Sequence, residues 1–260
     1  MAINFNSATY GSVTIVSLGT NDLTIDANLQ SRIFNIGSTS TVALAGLTIT
    51  NGEVVGQFDS YGGEIYNKGT MTVTKCTVSR STTTWRGGGI FNAGIMTVTD
   101  CTVSGNTSTW NGGGISNGGG ILFGILTLTR CIITDNTVTA PYSGGGLYND
   151  SGSIFTLTSC TITGNTAPFG GGFGNRGTGT LTNCTITNNM TTTGNGGGVH
   201  YDSGGAINSN TLTLINCTIT DNTATNRGGG IYLGSSDFLT LMDCTISGNV
   251  SDSEGGGFYN

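Results

Sequence analysis

Charge is scarce in this chain. Only 22 of 260 residues are charged, 8 basic and 14 acidic, about a third of the usual share for a soluble domain. So sparse a set excludes both a charge-rich disordered chain and, with a net charge of −6, the basic footprint of a nucleic-acid binder. Proline occurs twice and histidine once, which excludes collagen and Pro-rich linkers and leaves little for a histidine-based metal site. No apolar run approaches 18 residues, so no membrane insertion by a helix is expected. The opening Met1-Ala2-Ile3-Asn4-Phe5 has neither a basic nor an apolar leader region, so no signal peptide is expected in this chain. What is abundant is Gly (46), Thr (46) and Asn (26), all poor helix formers.

The chain is a repeat, and the repeat decides the fold. One motif, apolar-Thr-apolar-Thr-x-Cys-x-Ile/Val-Ser/Thr, recurs as MTVTKCTVS from Met71, MTVTDCTVS from Met96 and LTLTRCIIT from Leu126. It continues as FTLTSCTIT from Phe155, GTLTNCTIT from Gly179, LTLINCTIT from Leu212 and LTLMDCTIS from Leu239. A second motif alternates with it: GGEIYN from Gly62, GGGIFN from Gly87, GGGISN from Gly112, GGGLYN from Gly144, GGGFGN from Gly170, GGGVHY from Gly196, GGGIYL from Gly228 and GGGFYN from Gly255. VALAGLTIT at 42–50 is a degenerate copy of the first, with Leu47 at the cysteine position.

Within a unit the apolar period is two, the signature of half-buried strands. Leu126 and Leu128 alternate, the phase slips by one residue, and Cys131 and Ile133 resume it. Such a slip marks a corner at which the chain turns and keeps its inside face. Three short strands in about 25 residues predict an all-β, right-handed parallel β-helix with three strands per turn, pectate-lyase-like in architecture. A single domain spans 1–260, with N-terminal turns over 1–50 and eight glycine-motif turns over 51–260. The longer spacings around Asn117–Gly124 and Tyr201–Asn210 read as loops bulging from the solenoid.

Equivalent residues of stacked turns form columns. Cys76, Cys101, Cys131, Cys160, Cys184, Cys217 and Cys244 are expected as a buried thiol column, because no CxxC pair or Cys/His cluster suggests a metal. Asn106, Asn136, Asn165, Asn189, Asn222 and Asn249 each follow a cysteine by five residues and are expected to bond to one another along the axis. Asn67, Asn92, Asn117, Asn149 and Asn175 offer a second ladder. The glycine triplets lack the Lys-Ser/Thr of a phosphate loop, so no cofactor is expected.

The alternation of LTLTNCTITGNT-like and GGGIYN-like stretches resembles the right-handed β-helix repeat regions of large secreted or surface-anchored bacterial proteins. More loosely, it is similar to the repeats of chlamydial polymorphic membrane proteins. The resemblance implies an extracellular or cell-surface location and a role in adhesion, surface architecture or carbohydrate binding. Catalysis is not expected, because Asp100, Asp135, Asp150, Asp202 and Asp221 sit in different turns with no paired carboxylate. The outward Thr-x-Thr pairs (Thr72/Thr74, Thr97/Thr99, Thr127/Thr129, Thr156/Thr158, Thr180/Thr182) suggest an ice-binding alternative, although threonine also suits any exposed pleated face. Candidate contact residues for surface glycans are the aromatic rows Trp85, Trp110 and Tyr142, just before the glycines, and Tyr66, Phe91 and Tyr148, read as facing outward. The chain ends inside a repeat, at Gly255–Asn260, and Ile3–Ser17 reads as strand. Head-to-tail self-association into filaments is therefore expected.

Overall fold

The computed structural model describes residues 2–5, 12–18, 23–56, 60–201, 210–234 and 238–260. They form a parallel β-solenoid whose strands lie in four sheets of ten, nine, nine and eight strands. One turn illustrates the rest: strands Ile90–Asn92, Ile95–Thr99, Thr102–Ser104 and Thr107–Ser108 follow one another around the axis, one in each sheet. Each pairs in parallel with its counterpart one turn before and one turn after. Ile90, Phe91 and Asn92, for example, lie beside Ile65, Tyr66 and Asn67 on one side and Ile115, Ser116 and Asn117 on the other.

Four strands per turn corrects the expected three. The additional strand is only two residues long, as at Thr82–Thr83 and Thr137–Val138, and lies between the asparagine of the ladder and the glycine triplet. Two residues cannot display an alternation, so periodicity alone had no means to find it.

The phase slip inside each unit is a left-handed residue. Lys75, Asp100, Arg130, Ser159, Asn183, Asn216 and Asp243, each immediately before a cysteine, have φ between 51° and 56°. A second left-handed corner falls just before the asparagine of the ladder, as at Gly105, Asp135 and Asn188. The third is the first glycine of each triplet, as at Gly112 (φ 74°). Here glycine is required twice over, because the next residue, Gly113, has no room for a side chain. A Cβ there would lie 2.4 Å from the carbonyl oxygen of Gly145 and 2.6 Å from that of Thr137. The triplet is thus a point where neighbouring backbones touch.

The core runs along the axis. Ile90, Met96, Val98, Cys101 and Val103 of one turn pack on Ile115, Leu126, Leu128, Cys131 and Ile133 of the next. The insertion over 117–124 leaves the coil and is pinned by a short antiparallel bridge between Gly119 and Leu122. Of the second insertion, 202–209, and of the N-terminal stretch, 6–11, the expected loop and strand lie outside the described residues.

Candidate functional site

Three kinds of side-chain column line the solenoid. In the thiol column all seven cysteines are free; six are buried and Cys244 is half-buried. The backbone N–H of Cys76 donates to Cys101 Sγ (3.2 Å) and that of Cys131 to Cys160 Sγ (3.5 Å). The thiols donate to carbonyls two residues back, Cys101 to Thr99 and Cys160 to Thr158. The hydrogen bond between the Cys76 and Cys101 thiols draws Cys76 down to about 7 and pushes Cys101 far up, two sides of one shared proton. Bonding to Cys160, and then burial, also pushes Cys131 far above the usual thiol range. We expect a thiol reagent added to the folded chain to label only Cys244 promptly and the other six only in denaturant. Prompt labelling of three or more would contradict the buried column.

The asparagine column is fully bonded. Asn136 Oδ1 accepts both the backbone N–H and the Nδ2 of Asn106 (3.0 Å each). Its own Nδ2 donates forward to Asn165 Oδ1 and back to the Val103 carbonyl, also at 3.0 Å. The same pattern continues through Asn165, Asn189, Asn222 and Asn249. The second ladder runs Asn67, Asn92, Asn117, Asn149, Asn175 with amide-to-amide distances of 2.8–2.9 Å.

At the N-terminal side the first ladder changes chemistry. Ser81 takes the position of an asparagine and donates to Asn106 Oδ1 (2.7 Å), and one turn earlier the position is Gly52. The N–H of Gly52 is accepted instead by Glu64 Oε1 (2.8 Å), from the glycine-motif bend just before strand Ile65–Asn67. Glu64 is wholly buried, and its Oε2 has no hydrogen-bond partner. Burial raises its carboxyl to about 8, against the partial opposition of the Gly52 N–H. Sequence reasoning missed this residue; the signal was the substitution of GGE at 62–64 for the GGG of the later turns.

The aromatic rows divide. Trp85, Trp110 and Tyr142 form a half-buried stack, with centroids 5.2 Å and 4.7 Å apart and planes within 4° and 19°. Tyr66, Phe91 and Tyr148 do face away from the axis, but they are 7%, 0% and 2% exposed, which corrects their reading as exposed contacts. Tyr61 stacks on Phe91 at 4.3 Å and meets Tyr66 at 5.7 Å. The backbone of the 117–124 insertion comes over Phe91 at Gly119, and the Arg86 guanidinium lies 5.9 Å from the Tyr148 ring centre.

Arg86 also pairs with Asp150 two turns away, at 2.7 Å with both side chains largely buried. Burial acts to raise the Asp150 carboxyl, but Arg86 and the Gly120 N–H (2.9 Å) override it and hold it below its usual range. Asp150 therefore has a specific partner 64 residues away in sequence, while Asp100 pairs on the surface with Arg130. Asp202 lies outside the described residues. No group of three His, Cys, Asp or Glu capable of holding a metal occurs among the described residues.

The nine-stranded sheet built of five-residue strands such as Ile95–Thr99 presents a different surface. Thr72, Thr97, Thr127, Thr156 and Thr180 stand in register on its outer face, with Thr74, Thr99, Thr129, Thr158 and Thr182 beside them. Ile95, Ile125 and Ile154 form an exposed apolar column along the same face. No charged residue occupies an outward position on these strands among the described residues.

Residues 216–234 match the model of the Chlamydia polymorphic membrane protein repeat. The matched stretch contains the second half of one cysteine motif with Cys217, the ladder residue Asn222 and one whole glycine motif, GGGIYL from Gly228. The parallel solenoid agrees with a β-helix repeat region of this kind. No curated protein and no solved structure matches the chain. Among the described residues no helix is long and apolar enough to cross a membrane.

Proposed function

We propose that the chain is a non-catalytic structural and adhesive module of a larger extracellular surface protein, a single right-handed solenoid domain. The observation that carries this reading is the use of its polar side chains. The two asparagine ladders bond from turn to turn, the buried thiols are held within the core, and the acids that the sequence singled out are, among the described residues, paired or separate. A catalytic site needs convergent titratable groups. The match to a surface-protein repeat supports the location. End-to-end association belongs to the same proposal, because parallel strands stacked in register are completed by further strands of the same kind.

The test is to label intact and permeabilised source cells with antibody raised against the chain, and to incubate purified chain with polygalacturonate. We expect staining of intact cells and no unsaturated or reducing product above buffer. Staining only after permeabilisation, or measurable turnover, overturns the proposal. The uncharged threonine face favours a second reading, binding to ice. That reading requires thermal hysteresis of the purified chain, abolished by Thr127→Tyr, which sets a bulky ring in the middle of the array.

A further inference from the structure

Beside the aromatic stack the outer face of the glycine-motif sheet opens into a cleft of about 310 Å³. Its origin lies in the column that faces outward from this sheet. Where neighbouring turns carry Tyr148 and His200, the turn between them carries Gly174, so a ring is missing from the row. Tyr142, the last ring of the tryptophan stack, and Phe169 border the gap. Arg176, His200 and Ser143 line it as well.

Three features give the cleft a chemical preference. The first is charge. Arg86 pairs with Asp150 (2.7 Å), and the Tyr148 hydroxyl donates to Asp150 (3.2 Å) and bonds to Arg176. Both guanidinium groups line the cleft, and the residues lining it include no acid. In a chain of net charge −6 this is a local cationic exception, containing two of six arginines and the single histidine. The second is the ring faces of Tyr142 and Phe169, flat apolar surfaces of the kind that pack against the C–H face of a sugar. The third is Ser143, 9% exposed, whose Oγ is buried without a hydrogen-bond partner. An unpartnered hydroxyl in a cleft wall is a donor and acceptor in waiting for a ligand hydroxyl.

We propose that this cleft binds an acidic saccharide, a hexose ring carrying a carboxylate. The ring lies against Tyr142 and Phe169, its carboxylate faces Arg176, whose planar guanidinium suits two-point recognition, and a ring hydroxyl meets Ser143. The proposal rests on the surface-module reading and gives it a ligand class.

The chain's two tryptophans, Trp85 and Trp110, both belong to the adjoining stack, so intrinsic fluorescence reports occupancy directly. Purified chain is titrated with a hyaluronan tetrasaccharide, with neutral chitotetraose and with sodium sulfate. The acidic sugar should bind saturably and about tenfold or more tighter than chitotetraose, and Arg176→Gln should remove that margin. Phe169→Ala, which leaves the polar cluster intact, should also weaken it severalfold and keeps the test alive if Arg176→Gln fails to fold. Equal binding of chitotetraose, sulfate binding as tight as the tetrasaccharide, or unchanged affinity in folded Arg176→Gln each overturns the proposal. Absence of binding to all three overturns it too but leaves the cell-labelling result untouched, so the two readings fail separately.

Discussion

Replacing Asn136 by alanine should lower the melting temperature by roughly 10 °C. The side chain closes four hydrogen bonds at once. Removing it leaves the Asn106 N–H and the Val103 carbonyl without these partners, and Asn106 and Asn165 each lose one bond of their own. Each buried orphan costs about 1–3 kcal/mol, and the space left by the amide adds to that, so a total of about 4 kcal/mol is expected. Thr127→Ala, on the outer face of the same turn, should change stability by no more than about 0.5 kcal/mol. Thermal unfolding followed by circular dichroism checks the pair. Similar melting points for the two variants would mean that the ladder only accompanies the stack and does not hold it.

Glu64→Gln should alter how stability depends on pH. The carboxyl has an ordinary value of 4.5 and is raised to about 8 in the fold. Between these values the unfolded chain is ionised at this position and the folded chain is not, so unfolding releases a proton. Stability from this group is therefore complete below about pH 4.5 and is lost as pH rises toward about 8. The slope approaches about 1.4 kcal/mol for each pH unit, and beyond about pH 8 the dependence levels off. Glutamine keeps an oxygen to accept the Gly52 N–H and does not ionise. The variant should lack this slope and exceed the parent in stability at pH 8, with the gap closing toward pH 5. Denaturant titrations of both proteins at pH 5, 6, 7 and 8 supply the difference curve. A difference independent of pH would show that Glu64 is already ionised when folded.

Much of the coil was legible because the inward residues obey a period of two and the motifs repeat. Met71, Met96 and Leu126 could be aligned by eye, and they do stand in one register. The corners were only half legible. A slip before each cysteine was visible, but the left-handed residues there include lysine, arginine and serine, types that do not announce a positive φ. The stack imposes that conformation, with Lys75 N–H bonded to the Thr99 carbonyl and Arg130 N–H to that of Thr158. The burial of Tyr66, Phe91 and Tyr148 was not legible, since what covers them comes from other turns and from an insertion. The Arg86–Asp150 pair escaped for the same reason. A contact that skips a turn leaves no trace in a pattern read one repeat at a time.

Among the described residues every pairing between strands joins one turn to the next, and the amide ladders run the same way. Under tension along the axis, these bonds meet the load a turn at a time, whereas a sideways force must shear whole sheets. Successive cysteines are 24–33 residues apart, so each turn that peels away would free about 80–110 Å of contour length. Pulled from its ends, such a rod would lengthen in a train of small steps and remain folded beyond each break, as a tether that absorbs shock does.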